Sequence, residues 1–168
     1  MREMKDSERE IVRELLMVSY GEYKESFTNE RWGKYQEEIK ASVDNERIDA
    51  IYVAIFQKEI VGTMQLFCSA SEAYQLPGLE IDAPIIRFLA VRPNVRGLGV
   101  ARKLLDQAIS YAKNKHVNAI YLHTTKAMSG AIRLYEKYGF IRDDSKDYIK
   151  NGNQIQCYSF KMREGEKR

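Results

Sequence analysis

The sequence predicts an α+β fold built on a mostly antiparallel mixed sheet with one parallel crossover, and three observations carry that expectation. Helical and strand patterns alternate in the order helix, helix, hairpin, strand, helix, strand, helix, hairpin. The strand PIIRFLAV and the strand NAIYLHTT are joined by one amphipathic helix, the connection that parallel neighbours require, whereas the paired runs before and after them are joined by short polar turns. The chain has 168 residues and no repeat, linker or low-complexity block. A single domain is therefore expected, one that buries about two thirds of the surface exposed by its unfolded chain.

Each element has its own warrant. Ser7 followed by Glu10 forms a capping-box pattern, and Ile11, Val12, Leu15 and Leu16 recur at helical spacing, so a first helix is expected over about residues 7–20. Trp32, Tyr35, Ile39 and Val43 form the stripe of a second helix that starts near Thr28 or Asn29. The aromatics Tyr20, Tyr23, Phe27, Trp32 and Tyr35 either pack with one another or wall a pocket. The β-rich runs 51–57 and 60–67, separated by Lys58-Glu59, read as a hairpin. Residues 69–84 form a turn-rich, mildly acidic loop, and the next strand ends at Pro93. After it, Ala101, Leu104, Leu105, Ala108, Ile109 and Ala112 share one helix face. A short helix through Ala131, Leu134, Tyr135 and Tyr138 stops at Gly139. Phe140-Ile141 and QIQCYSFKM supply two closing strands, separated by a polar turn containing Asn151-Gly152-Asn153, and the tail 163–168 is expected to be loose.

Composition excludes several classes of function. No apolar run approaches the roughly 20 residues that span a bilayer, and MREMKDSERE lacks the apolar stretch of a signal peptide, so a cytoplasmic setting without membrane contact is expected. Cys68 and Cys157 have no CxxC partners, and His116 and His123 make no metal-ligand spacing with them, so no metal is expected. Charge is distributed unevenly: residues 1–50 carry a net −4 and residues 51–168 a net +7. Within Arg87–Lys103 stand Arg87, Arg92, Arg96, Arg102 and Lys103 with no acidic residue, a stretch suited to an anion. The basic residues form one local turn without interleaved aromatics, which argues against nucleic acid.

That turn, VRPNVRGLGVARKLL, runs from a strand end into an apolar-faced helix. A helix N-terminus presents unpaired N–H groups and about half a positive charge, so it receives phosphate readily, and glycines let the ligand approach. A dinucleotide fingerprint starting at Gly97 would need a small residue where Arg102 stands, and GxxxxGK[ST] is absent. What remains is [Q/R]-x-x-G-x-[G/A], met by Arg96, Gly99 and Ala101. Here the sequence resembles the GNAT superfamily of N-acetyltransferases: Leu89, Val91, Pro93, Arg96, Gly97 and Gly99 match its L-x-V-x-P and R-G-x-G pattern. AIRLYEKYGF, from Ala131 to Phe140, looks like its A-x-x-L-Y-E-K-x-G-F. The resemblance spans about residues 50–162 and implies a sheet flanked by helices on both faces. The family's first strand should here be short or missing, because little chain precedes Ser7.

The resemblance implies acetyl-CoA as cosubstrate. Its pyrophosphate would sit on the amides of Arg96, Gly97, Leu98, Gly99, Val100 and Ala101, with Arg102 adding charge, while the pantetheine arm pairs with Leu89, Ala90 and Val91 like an added strand. A backbone N–H near Leu89 or Ala90 would hold the oxyanion, and Tyr135 would protonate the departing thiolate. Met128 stands where the family often has an asparagine, with Ser129 beside it as a substitute. The glutamate some members use as base is replaced by Ile85; Glu80 and Asp82 either act through water or are solvated loop residues, and Arg87 is left unassigned. The implied function is acetyl transfer to a primary amine of a small molecule or peptide, with a homodimer left open. The alternative is a CoA-binding module without turnover.

Overall fold

A computed structural model describes residues 1–163, so the expected tail lies outside the described residues from position 164 onward. Two compact units are formed, one by Met1–Gln65 with Phe88–Leu104 and the other by Leu66–Arg87 with the chain from Leu105 onward.

The first unit contains β1 (Arg2–Glu3), α1 (Arg9–Tyr20), α2 (Asn29–Ser42), β2 (Ala50–Phe56) and most of β3 (Glu59–Phe67), with the end of β4 (Ile85–Val91) and the start of α4 (Val100–Asn114). Its strands follow the order β1-β2-β3-β4. β1 is the short first strand anticipated, paired antiparallel to β2 through Arg2↔Val53 and Glu3↔Tyr52. Val12, Leu15 and Leu16 of α1 meet Ile39 and Val43 of the second helical stripe, and all five are buried with Val53, Ile60 and Ala90. Leu15 and Leu16 are wholly buried, so truncating either to alanine should cost about 2–5 kcal/mol.

Three boundaries differ from expectation. α1 is not opened by a Ser7–Glu10 box: Glu8 accepts from the Lys5 N–H at 2.8 Å and closes a 3₁₀ turn over Asp6–Glu8, so the helix begins at Arg9. Arg2 fixes that arrangement by donating to both Glu8 oxygens at 2.8 and 2.7 Å. The hairpin turn falls on Gln57-Lys58, whose φ angles of 51° and 69° are the left-handed pair of a two-residue loop, so Glu59 already belongs to β3. The expected loop contains a short helix, α3 (Ala70–Tyr74), capped by Ser69, whose Oγ accepts from the Glu72 N–H at 3.3 Å. The second helix starts as expected, with Thr28 Oγ1 accepting from the Arg31 N–H.

The second unit contains α3, the start of β4, most of α4, β5 (Ala119–Thr124), α5 (Ser129–Tyr138), β6 (Ile141–Arg142), β7 (Tyr148–Lys150) and β8 (Asn153–Lys161). Its strands run β4-β5-β8-β6, with β7 also on β8. β4 and β5 are parallel through Ile85↔Tyr121 and Ile86↔Leu122, whereas β5, β6 and β7 each pair antiparallel with β8. This is the expected mixed sheet with its parallel crossover. The closing hairpin is a correction: Asn151-Gly152 joins β8 to β7, a strand not anticipated, and Ile141 reaches β8 by a separate pairing with Ser159. Leu105, Ala108 and Ala112 of α4 are buried completely, which agrees with the predicted face. Among the described residues no helix is long and apolar enough to cross a membrane, and no group of His, Cys, Asp or Glu is arranged to hold a metal.

Candidate active site

In the first unit the glycine turn after β4 has the backbone that its sequence suggests. A 3₁₀ turn over Pro93–Val95 follows β4, Arg96 is extended, and α4 starts at Val100. Gly97 and Gly99 have φ of +84° and +81°, and a Cβ at either would meet nothing within 4 Å. Backbone conformation, not crowding, demands these glycines, and the space beside them is open. A third glycine went unremarked in the sequence. A Cβ on Gly62 would lie 3.0 Å from Val100 Cγ1, 3.2 Å from Leu104 Cδ1 and 3.3 Å from the Ala90 carbonyl. The first turn of α4 therefore sits directly on the backbone of β3, which sets the position of the helix mouth. The signal was a glycine inside an apolar strand run, which marks close approach.

The strand end beside the turn is held from several sides. Phe88 has φ +49°, uncommon for a bulky residue, and lies edge-on to Tyr20 with ring centroids 5.7 Å apart. The Tyr20 hydroxyl donates to the Leu89 carbonyl at 3.3 Å, and Ser19 Oγ donates to Val91 at 3.1 Å. Arg92 is structural: it donates through Nε to Ile60 and pairs with Glu14 at 2.7 Å. Arg96 pairs with Glu22 and also donates to the Val91 carbonyl. The cationic stretch is thus partly neutralised by the acidic N-terminal region, while Arg102 and Lys103 stand exposed on the first turn of α4. The aromatics Tyr20, Tyr23, Phe27, Trp32 and Tyr35 pack against one another, with Phe27 stacked on Tyr35 at 5.1 Å.

In the second unit Tyr135 is 8% exposed, on α5, with its ring 5.9 Å from that of Phe140. Gly139, at φ +126°, ends that helix by donating to the Tyr135 and Glu136 carbonyls. Tyr138 donates to Asp106 at 2.6 Å and packs on Phe140 and Phe160, which makes it structural as expected. Met128 is the residue before α5 and contributes no side-chain cap, and Ser129 opens the helix. Ile85 is fully buried, and Glu80 and Asp82 are exposed. Arg87 lies 5.0 Å over the Tyr74 ring and 5.9 Å over Phe67, and donates to the Ala73 carbonyl at 2.8 Å, so it ties α3 to the strand.

The same unit holds an arrangement that the sequence did not disclose. His123 Nε2 lies 2.9 Å from the Lys146 carbonyl, which can only accept, so Nε2 carries a proton. In the neutral ring Nδ1 is then the acceptor, and the Tyr74 hydroxyl donates to it at 3.0 Å. The Tyr74 and Tyr148 rings lie 5.0 and 5.1 Å from the imidazole. Burial pushes the His123 pKa below its ordinary value and that of Tyr74 well above. Cys157 and Cys68 are free thiols, and burial lifts Cys157 to about 12, so it is not a nucleophile.

Comparison with known proteins bears on the whole arrangement. The acetyltransferase (GNAT) family matches residues 10–140. N-alpha-acetyltransferase 30 of Saccharomyces cerevisiae is 44% identical over 98 residues, which are 58% of this chain and 55% of the yeast protein. The chain spans about half the length of the curated relatives it matches. An acetyltransferase of the GNAT family from Staphylococcus aureus has the same fold, with TM-score 0.69, 21% identity and coverage of 96% of this chain and 97% of the other. A GNAT family acetyltransferase from Elizabethkingia anophelis with acetyl-CoA bound superposes with TM-score 0.56 at 20% identity over 89% of each chain. A family match across most of the chain, over a strand, glycine turn and helix of this geometry, establishes that the chain belongs to the GNAT family of acetyltransferases, whose cosubstrate is acetyl-CoA.

Proposed function

We propose that the chain is a cytoplasmic N-acetyltransferase that moves the acetyl group of acetyl-CoA to a primary amine by direct attack. The observation that carries the reading is the turn at Gly97 and Gly99: two left-handed glycines with open space beside them, at the mouth of a helix seated on Gly62. Amides from Arg96 to Ala101, with Arg102 and Lys103 nearby, suit the two phosphates of a pyrophosphate. The held strand end Leu89–Val91 offers main-chain groups to the pantetheine amides, and a backbone N–H there suits the oxyanion. Ser129, at the start of α5, takes the place of the missing asparagine side chain. The amine nitrogen attacks the thioester carbon to give the tetrahedral oxyanion and yields its proton to solvent; the oxyanion then collapses, the C–S bond breaks, and Tyr135 gives its proton to the departing sulfur. Streptothricin acetyltransferase of Escherichia coli and the yeast N-alpha-acetyltransferase bear names that point to a small molecule and to a protein terminus, so the acceptor proposed here is an amine of a small molecule or peptide.

Gly99→Glu tests the site. The side chain enters the open space with a like charge, and no L-residue adopts φ +81° readily. Acetyl-CoA affinity in calorimetry should fall at least about tenfold, the order of one lost charge-assisted contact. Unchanged affinity in the folded variant removes the site. Fully buried Ile85, where some members carry a base, favours a second reading as a CoA-binding module without turnover; thiol release across a panel of amines separates the two.

A further inference from the structure

We propose that the ion pair between Glu22 and Arg96 is a latch that acetyl-CoA opens: the pyrophosphate competes with Glu22 for the Arg96 guanidinium, and its binding frees the connection between α1 and α2 from the glycine turn, an inference that rests on the reading of that turn as the pyrophosphate site. Every group involved belongs to the first unit. Arg96 stands in the turn itself, yet its side chain engages the chain on two sides: Nη1 pairs with Glu22, and Nη2 donates to the Val91 carbonyl at 3.3 Å. The two paired side chains are 41% and 36% exposed, so an anion arriving from solvent can reach the guanidinium. Glu22 lies in the 3₁₀ segment Gly21–Ser26, which joins the two helices. Its neighbour Tyr23 hydrogen-bonds to it, and burial together with the Glu22 carboxylate raises the phenol to about 12, so the hydroxyl remains a donor and the ring follows the carboxylate. From Tyr23 the aromatic contacts run on without a break. Its ring lies 6.1 Å from Tyr20, Tyr20 lies 6.2 Å from Tyr35, Phe27 lies 5.1 Å from Tyr35, and Trp32, the one tryptophan of the chain, lies 5.7 Å from Phe27.

The direction of the effect follows from charge. A guanidinium matches phosphate oxygens with two parallel hydrogen bonds, and a carboxylate left beside a bound pyrophosphate is repelled by it. Binding therefore costs the Glu22 contact, and by linkage whatever holds residues 21–26 to the turn weakens acetyl-CoA by the same factor. A partly exposed pair adds little to the stability of the fold, which places it within the range that a ligand can switch. The strand end does not open with it, because Ser19 Oγ still donates to the Val91 carbonyl at 3.1 Å and the Tyr20 hydroxyl to the Leu89 carbonyl at 3.3 Å. The change is thus confined to the segment after α1, and Trp32 reports it through Phe27.

The test measures acetyl-CoA affinity by calorimetry and the Trp32 emission maximum with and without saturating acetyl-CoA, in wild type, Glu22→Gln, Glu25→Gln, Arg96→Gln and the Glu22→Gln/Arg96→Gln double variant. Glu22→Gln keeps the shape of the side chain and removes its charge, and should bind acetyl-CoA about two- to fivefold more tightly, the range of a partly exposed ion pair. Glu25, exposed on the same segment, is the control for charge alone, and its change should be smaller. In the Arg96→Gln background the gain from Glu22→Gln should vanish. The wild-type emission maximum should shift on binding, and Glu22→Gln without acetyl-CoA should already stand near the shifted value. Unchanged or weaker affinity in Glu22→Gln, an equal gain from Glu25→Gln, a gain that survives in the Arg96→Gln background, or no emission shift in a wild type that binds acetyl-CoA overturns the latch and leaves the pyrophosphate site standing. Failure of the wild type to bind acetyl-CoA overturns the site and the latch together.

Discussion

A phenol keeps its proton at neutral pH and can surrender it to a thiolate of somewhat lower pKa at small cost, which is why a tyrosine suits the sulfur end of the reaction. Tyr135 is placed by packing: its ring lies against Phe140, and its carbonyl accepts from the Gly139 and Phe140 N–H groups as the helix ends. Tyr135→Phe removes an oxygen and leaves that frame, so the variant should bind acetyl-CoA within about twofold of wild type while kcat falls about 10²-fold, the lower end of general-acid effects because water partly replaces the donor. Steady-state kinetics at saturating acetyl-CoA distinguish this from two other roles. A tyrosine that only packs would leave kcat unchanged, and one that mainly holds the cofactor would raise the acetyl-CoA KM with kcat preserved.

At the scale of elements, the position of α4 depends on the absence of a side chain on β3. Gly62→Val would place carbon atoms among Val100, Leu104 and the Ala90 carbonyl, where the first Cβ alone stands at 3.0–3.3 Å. Overpacking of this kind costs about 1–3 kcal/mol, and part of the strain should be relieved by lifting the helix mouth. Both a lower denaturation midpoint and weaker acetyl-CoA binding are expected; normal acetyl-CoA binding in a destabilised variant would show that the turn does not depend on this seat. Long elements such as α1, α4 and β5 were legible because many residues repeat one period. α3 and β7 were not, since five and three residues are too few to display a period. The glycine turn was legible because its chemistry is local. The Tyr74–His123 contact was not, because its partners lie 49 residues apart and Lys146 a further 23 along the chain. Gly62 was visible as a letter, but what it touches is set by a helix nearly forty residues later.

Across the whole molecule, the opposed charges of the two sequence regions are partly cancelled by long-range pairs: Arg92 reaches Glu14 and Arg96 reaches Glu22, over separations of 78 and 74 residues. Such exposed pairs contribute little to stability, but one ion pair in the second unit is of a different kind. Asp147, its side chain 12% exposed, accepts from both Arg142 guanidinium nitrogens at 2.6 and 2.5 Å, and from the Cys157 N–H and Gln154 Nε2 at 2.8 Å each. Burial alone would raise its pKa, yet these donors together outweigh burial and hold the carboxyl below the usual range. A folded-state pKa below the unfolded value of about 3.9 means that the carboxylate stabilises the fold at higher pH and that this contribution is lost as pH falls through about 4 toward the folded value. Asp147→Asn should therefore unfold more easily at pH 7 by about 1.5–3 kcal/mol, the worth of hydrogen bonds to a charged group. The gap from wild type should narrow as the wild-type carboxylate becomes protonated. Urea denaturation of both proteins at about pH 7, 5 and 3.5 measures it directly. A gap of constant size over the whole range would mean that the carboxylate's charge contributes nothing and that shape alone holds β8 to the segment before β7.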